Sequence, residues 1–92
     1  MKLGTYIKAA RTRKHILQKD LAIKIQITPQ YLNDLENDRR EPSDATLQRL
    51  SAILGLNSDY AYMLVGKLPP DLRRTVTKGK MAKAYRIMRR NK

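Results

Sequence analysis

The sequence predicts an all-α fold, with five short helices in residues 1–66 and a basic helix near the C-terminus. Three observations lead there. Apolar residues recur at helical rather than strand spacing throughout the chain. Strand signals are weak: there is no alternating run, no Asn-Gly or Asp-Gly hairpin turn, and neither Phe nor Trp. Cap residues and breakers then cut the periodic stretches into pieces of helix length.

Leu3, Ile7 and Ala10 fall on one face of a first helix, roughly residues 2–14. Leu21, Ala22 and Ile25 define a second, from about 18 to 25, and Leu32 and Leu35 the buried side of a third, from about 29 to 36. Thr28 is suited to cap that third helix. Pro29 suits its first position, where the missing N–H costs nothing. Ser43 is a good cap for a fourth helix carrying Leu47, Leu50, Ile53 and Leu54, which should stop at Gly55. Asn57 or Ser58 caps a fifth, ending at Gly66, with Tyr60, Met63 and Leu64 on its apolar side and Tyr60 expected in the core. Tyr6 and Tyr62 read either way. The boundary falls in "GKLPPDL" (66–72), although Leu68 and Leu72 suggest that it packs. Met81, Ala84, Tyr85 and Met88 then share one face of a sixth, basic helix. The chain thus divides into a domain at 1–66 and a basic linker with its C-terminal helix at 67–92.

Composition narrows the function. The chain has 92 residues and a formal net charge of +12. The charge is unevenly placed: residues 1–66 hold ten Lys/Arg against seven Asp/Glu, whereas residues 67–92 hold ten against one. A polyanionic partner is implied, nucleic acid before an anionic membrane surface. No cysteine and a single histidine, His15, leave no zinc site and no Ser-His-Asp or Cys-His constellation, so neither an enzyme nor a metal or cofactor is expected. No apolar run approaches the ~18–20 residues that span a bilayer. A cytoplasmic protein without membrane association is expected.

Against that background the third helix is unexpected: "PQYLNDLE" contains no Lys or Arg. Two short helices joined by a tight turn, the second polar outside, form the arrangement that lays a helix in a DNA major groove. Gln30 and Tyr31 lie in its first turn, followed one turn later by Asn33 and Asp34. Gln and Asn can pair with the N6/N7 edge of adenine, and Asp can accept from cytosine N4. Asp34 has a second reading, the exclusion of wrong sites by repelling phosphate, and a third as a solvated surface residue.

"LQKDLAIKIQITPQYLNDLENDRREPSDATLQRLSAILGL" (17–56) resembles the helix-turn-helix of lambdoid phage repressors and Cro proteins, the XRE-like regulators. Gln18 with Leu21-Ala22 matches the family's Gln-x-x-Leu-Ala, Ile27-Thr28 its turn, Leu32 and Leu35-Glu36 its recognition helix. Pro42 matches its loop, and Leu47 with Leu54-Gly55-Leu56 its fourth helix. The resemblance implies a five-helix lambda-repressor-like domain, with the helix-turn-helix formed by helices 2 and 3. By position it implies base reading by Gln30, Tyr31, Asn33 and Asp34. It also implies phosphate contacts by Gln18, Lys19, Thr28, Asn37, Arg39, Arg40 and Ser43. Glu36 is assigned an ion pair with Arg11 on the first helix. The sequence departs from the pattern at Leu17, where a Ser or Thr cap is usual. It departs again at His15, Gln26 and Asp38, which stand at turn positions often filled by glycine.

For the basic segment three readings remain. It is a disordered tail, a helix packed on this domain or a second subunit with its basic side toward DNA, or a membrane-surface helix. The middle reading is favoured because relatives with a similar "LPPDL" often continue into such a helix, and it makes Arg86, Arg89 and Arg90 further phosphate contacts. The functional expectation is a sequence-specific regulator of double-stranded DNA, a repressor acting as a homodimer on an inverted repeat. Small regulators of this kind occur on phages and other mobile elements. Its rivals are an antitoxin-type regulator that also binds a protein partner and a nonspecific DNA-binding protein.

Overall fold

The computed structural model describes residues 1–73, which fold into six helices: α1 (Leu3–Arg13), α2 (Gln18–Ile25), α3 (Pro29–Glu36), α4 (Asp44–Leu54), α5 (Ser58–Leu64) and the short α6 (Pro70–Arg73). The sixth helix read around Met81–Met88, and with it Arg86, Arg89 and Arg90, lies outside the described residues.

Local chemistry sets where each helix starts and stops. The Thr28 hydroxyl accepts from the Tyr31 amide at 3.0 Å, with Pro29 at the first helical position of α3. Ser43 accepts from Thr46 N at 3.1 Å, and the Asn57 side chain from Tyr60 N at 3.0 Å. Leu17, before α2, has no such bond to give. At the other end, α1 to α5 all close through a residue with positive φ: His15 (57°), Gln26 (62°), Asp38 (60°), Gly55 (68°) and Gly66 (70°). In each case the next amide reaches back to a carbonyl five residues earlier, as in Arg39 N to Asp34 O at 2.9 Å. Three of the five therefore hold a left-handed backbone without glycine, a conformation that a polar side chain such as His or Asp tolerates best.

Leu3, Ile7 and Ala10 of α1, Leu21, Ala22 and Ile25 of α2, Leu32 and Leu35 of α3, and Leu47, Leu50 and Leu54 of α4 form one buried cluster. In α5 the inward face differs from the expected one. Tyr62 is 2% exposed and Ala61 is fully buried, whereas Tyr60 is 39% exposed and Met63 more so. The Tyr62 hydroxyl donates to Asp44 at the start of α4 (3.1 Å), which anchors the ring inside. Tyr60 instead meets the edge of Tyr6, with ring centroids 5.1 Å apart, and the Tyr6 hydroxyl accepts from Asn57 N. Ile53, expected on the buried side of α4, lies at its margin and is exposed. Leu72 of α6 is buried, so the segment after Gly66 packs on the domain.

Helix α1 crosses closely over the end of α3. A Cβ on Gly4 would collide with the backbone carbonyls of Leu35 and Glu36. The amide of Gly4 donates to the Asp38 carboxylate at 2.9 Å, so the loop after α3 caps the start of α1.

Candidate nucleic-acid interface

Helix α3 is held from behind and open in front. Behind it, Glu36 is buried and receives two bonds from one guanidinium: Arg11 Nε to Oε2 at 2.7 Å and Arg11 Nη2 to Oε1 at 3.1 Å. Arg11 Nη1 also donates to the carbonyl of Ile16 at 2.8 Å. A planar, bidentate pair of this kind fixes direction as well as distance. Gln18, at the start of α2, donates to the same Glu36 Oε1 at 3.1 Å and more weakly to Asn33 Oδ1 at 3.4 Å. Asn37 Nδ2 then reaches Asn33 O at 2.8 Å and Asn33 Oδ1 at 3.2 Å. One polar chain thus links α1, α2 and α3 at their crossing.

In front, Gln30 is exposed and its Nε2 donates to Asp34 Oδ1 at 3.2 Å, one helical turn along. The same oxygen accepts from Arg39 Nε at 3.1 Å. Arg40 lies over the ring of Tyr31, with its guanidinium carbon 4.7 Å from the centroid, a cation–π arrangement. The Tyr31 hydroxyl faces the carbonyl of Glu41 at 3.5 Å. The loop arginines therefore fold back onto the side chains of α3, which has no Lys or Arg of its own. Lys19 is exposed in the first turn of α2, and Ser43 is exposed as the cap of α4.

The structure brings together Arg11, Gln18, Asn33, Glu36 and Asn37 on one side of α3, and Gln30, Asp34 and Arg39 on another. Gln18, Asn33 and Asn37 have partners within the domain that sequence reasoning missed, as do Arg39 and Arg40. Asp38, read only as a turn residue, also binds the amino end of α1. Among the described residues no helix is long and apolar enough to cross a membrane, and no group of three or more His, Cys, Asp or Glu side chains is arranged to hold a metal.

A family model described as "Helix-turn-helix" matches residues 7–60, more than half of the chain. The chain belongs to the XRE/Cro-like helix-turn-helix family. It therefore carries a helix-turn-helix DNA-binding domain, and the family is one of non-enzymatic regulators. Similar proteins include the ImmF control region 10 kDa protein of Bacillus phage phi105, 39% identical over 62 residues, which are 67% of this chain and 69% of that one. The HTH-type transcriptional regulator ImmR of Bacillus subtilis is 37% identical over 67 residues, covering 73% of this chain and 50% of ImmR. The immunity repressor protein of phage phi105 is 39% identical over 56 residues, 61% of this chain and 39% of the repressor. The chain thus spans half or less of these two longer regulators. In fold it is similar to a chain of the solved SinR protein/SinI protein complex, with a TM-score of 0.58, 22% identity and coverage of 98% and 99% of the two chains.

Proposed function

We propose that the chain is a sequence-specific transcriptional repressor that binds double-stranded DNA as a homodimer on an inverted repeat. The observation that carries this reading is the chemistry of α3. Its outer side bears Gln30, with an amide suited to a base edge, and the adjoining loop supplies Arg39 and Arg40. Discrimination and attraction are thereby assigned to different segments. A reading helix free of Lys and Arg does not grip every sequence through phosphate alone.

In this reading Gln30 and Tyr31 face the bases, with Asn33 and Asp34 one turn along, where each already bonds neighbours within the domain. Lys19, Arg39, Arg40 and the caps Thr28 and Ser43 meet phosphates around it. Gln18 and Asn37 help from the rim, beside the amide groups at the start of α2 that Leu17 leaves uncapped. One eight-residue helix covers few base pairs. Two copies about 34 Å apart reach successive major grooves on one face of the duplex. Residues 1–66 form the DNA-binding unit and 67–92 a basic extension, in which Arg86, Arg89 and Arg90 add phosphate contacts. The names of the phage and bacterial relatives, an immunity repressor and a transcriptional regulator, support the regulatory role.

The test is unbiased selection of bound duplexes from random DNA. A palindromic consensus is expected, while recovery of no motif would leave a nonspecific DNA-binding protein. A second reading, an antitoxin-type regulator that also binds a protein, is favoured by the occurrence of the fold in a complex of two proteins. Co-purification of the product of an adjacent gene would support it.

A further inference from the structure

Asp34 is the acidic residue that a DNA-facing helix should not want, and its surroundings give it a use. Its side chain is only 17% exposed, and its Oδ1 already accepts from Gln30 Nε2 and Arg39 Nε. A carboxylate so covered is poorly placed to reach into a groove and accept from cytosine. We propose that Asp34 is a positioning residue that sets the amide of Gln30 to read adenine and reject guanine. This inference rests on the base-reading role of α3.

The argument is one of donors and acceptors. An aspartate carboxylate at neutral pH only accepts hydrogen bonds, whereas a glutamine amide has a donating end and an accepting end. Only the –NH2 end of Gln30 can therefore face Asp34; turning the amide over would set Oε1 against a carboxylate oxygen. Gln30 is left with Oε1 and one N–H free. In the major groove adenine offers the N6 donor beside the N7 acceptor, the complement of those two free groups. Guanine offers O6 and N7, both acceptors, so its O6 would meet Oε1. The opposite amide orientation, with –NH2 outward, would suit guanine, and Asp34 removes it. Arg39 Nε meets the same oxygen from the loop side at 3.1 Å in the free protein, and the carboxylate remains acceptor-only when a phosphate draws that arginine away.

Asp34→Asn tests this, because an asparagine amide can offer Gln30 either a donor or an acceptor and so frees it to turn over. Duplex selection and competition binding are carried out on the wild-type chain, Gln30→Ala, Asp34→Asn and Asp34→Glu at one salt concentration. The wild type is expected to prefer adenine over guanine at one position of each half-site, and Gln30→Ala to lose that preference. In Asp34→Asn the adenine-to-guanine ratio at that same position should fall by about tenfold, whatever the change in overall affinity. Asp34→Glu, still acceptor-only, should keep the preference. In the free protein the Gln30 side-chain amide resonances should shift in Asp34→Asn and remain close to wild type in Asp34→Glu.

An unchanged ratio in Asp34→Asn overturns the proposal, as does an unmoved Gln30 amide signal. Loss of a cytosine preference at a different base pair also overturns it, since Asp34 would then read directly. A wild-type selection that yields no motif removes base reading by α3 itself, an outcome distinct from a motif whose adenine is indifferent to Asp34.

Discussion

Two arginine–carboxylate pairs hold α3, one on each side, and their surroundings differ far more than their chemistry. In Arg11–Glu36 the side chains are 14% and 2% exposed, the contact is bidentate, and the closest atoms are 2.7 Å apart. In Arg39–Asp34 they are 57% and 17% exposed, with a contact of 3.1 Å. The inner pair has little water to fall back on, so removing either partner strands a charge in the domain. The outer arginine stays hydrated, and salt or a phosphate can compete for it at little cost. Burial alone makes the first a fixed joint between helices and the second an exchangeable contact beside the side chains proposed to read DNA.

That contrast can be broken at the inner pair first. Arg11→Met should destabilise the domain by about 3–5 kcal/mol, read as a lower denaturant midpoint. An unchanged midpoint would show that Glu36 does not need its partner and that the contrast is false. The next largest effect concerns the crossing that sets the inner pair's geometry. Gly4→Ala should cost about 1–3 kcal/mol through overpacking against the α3 carbonyls, measured in the same way. A neutral outcome would mean that α1 can shift on α3 without disturbing the Arg11–Glu36 bonds. The smallest effect on stability belongs to the outer pair. Arg39→Gln should change unfolding free energy by less than about 1 kcal/mol. It should also lower affinity for DNA of any sequence and reduce the salt-dependence slope by about one. A large loss of stability would make the outer pair a second joint.

The parts of the fold that were legible in the sequence are those decided by neighbours in the chain. Thr28-Pro29, Ser43 and Gly55 act locally, so the start of α3 and both ends of α4 follow from them. Arg11 and Glu36 are far apart in sequence, and their pairing was approachable only through resemblance to the family. Helix α5 shows where periodicity fails. Seven residues make barely two turns, too few to choose between a face through Tyr60 and one through Tyr62 when both are tyrosine. The bond from Tyr62 to Asp44 makes that choice, and it joins two helices. Nothing in the sequence singles out Gly4, because the atoms that exclude a side chain there belong to Leu35 and Glu36 of α3. The partners of Gln18, Asn33, Arg39 and Arg40 were likewise hidden, since polar side chains carry no periodic mark of what they will meet.

The bond from Gly4 N to the Asp38 carboxylate has a practical consequence for anything joined to the start of the chain. It pins the beginning of α1 next to the residue that precedes Arg39, and Lys2, Leu3, Asp38 and Arg40 line one shared groove. Any polypeptide attached ahead of Met1 therefore leaves the domain at the edge of the proposed DNA-facing surface. A purification tag or fluorescent fusion there would crowd the duplex and blunt its measured affinity, without touching a single residue of α3.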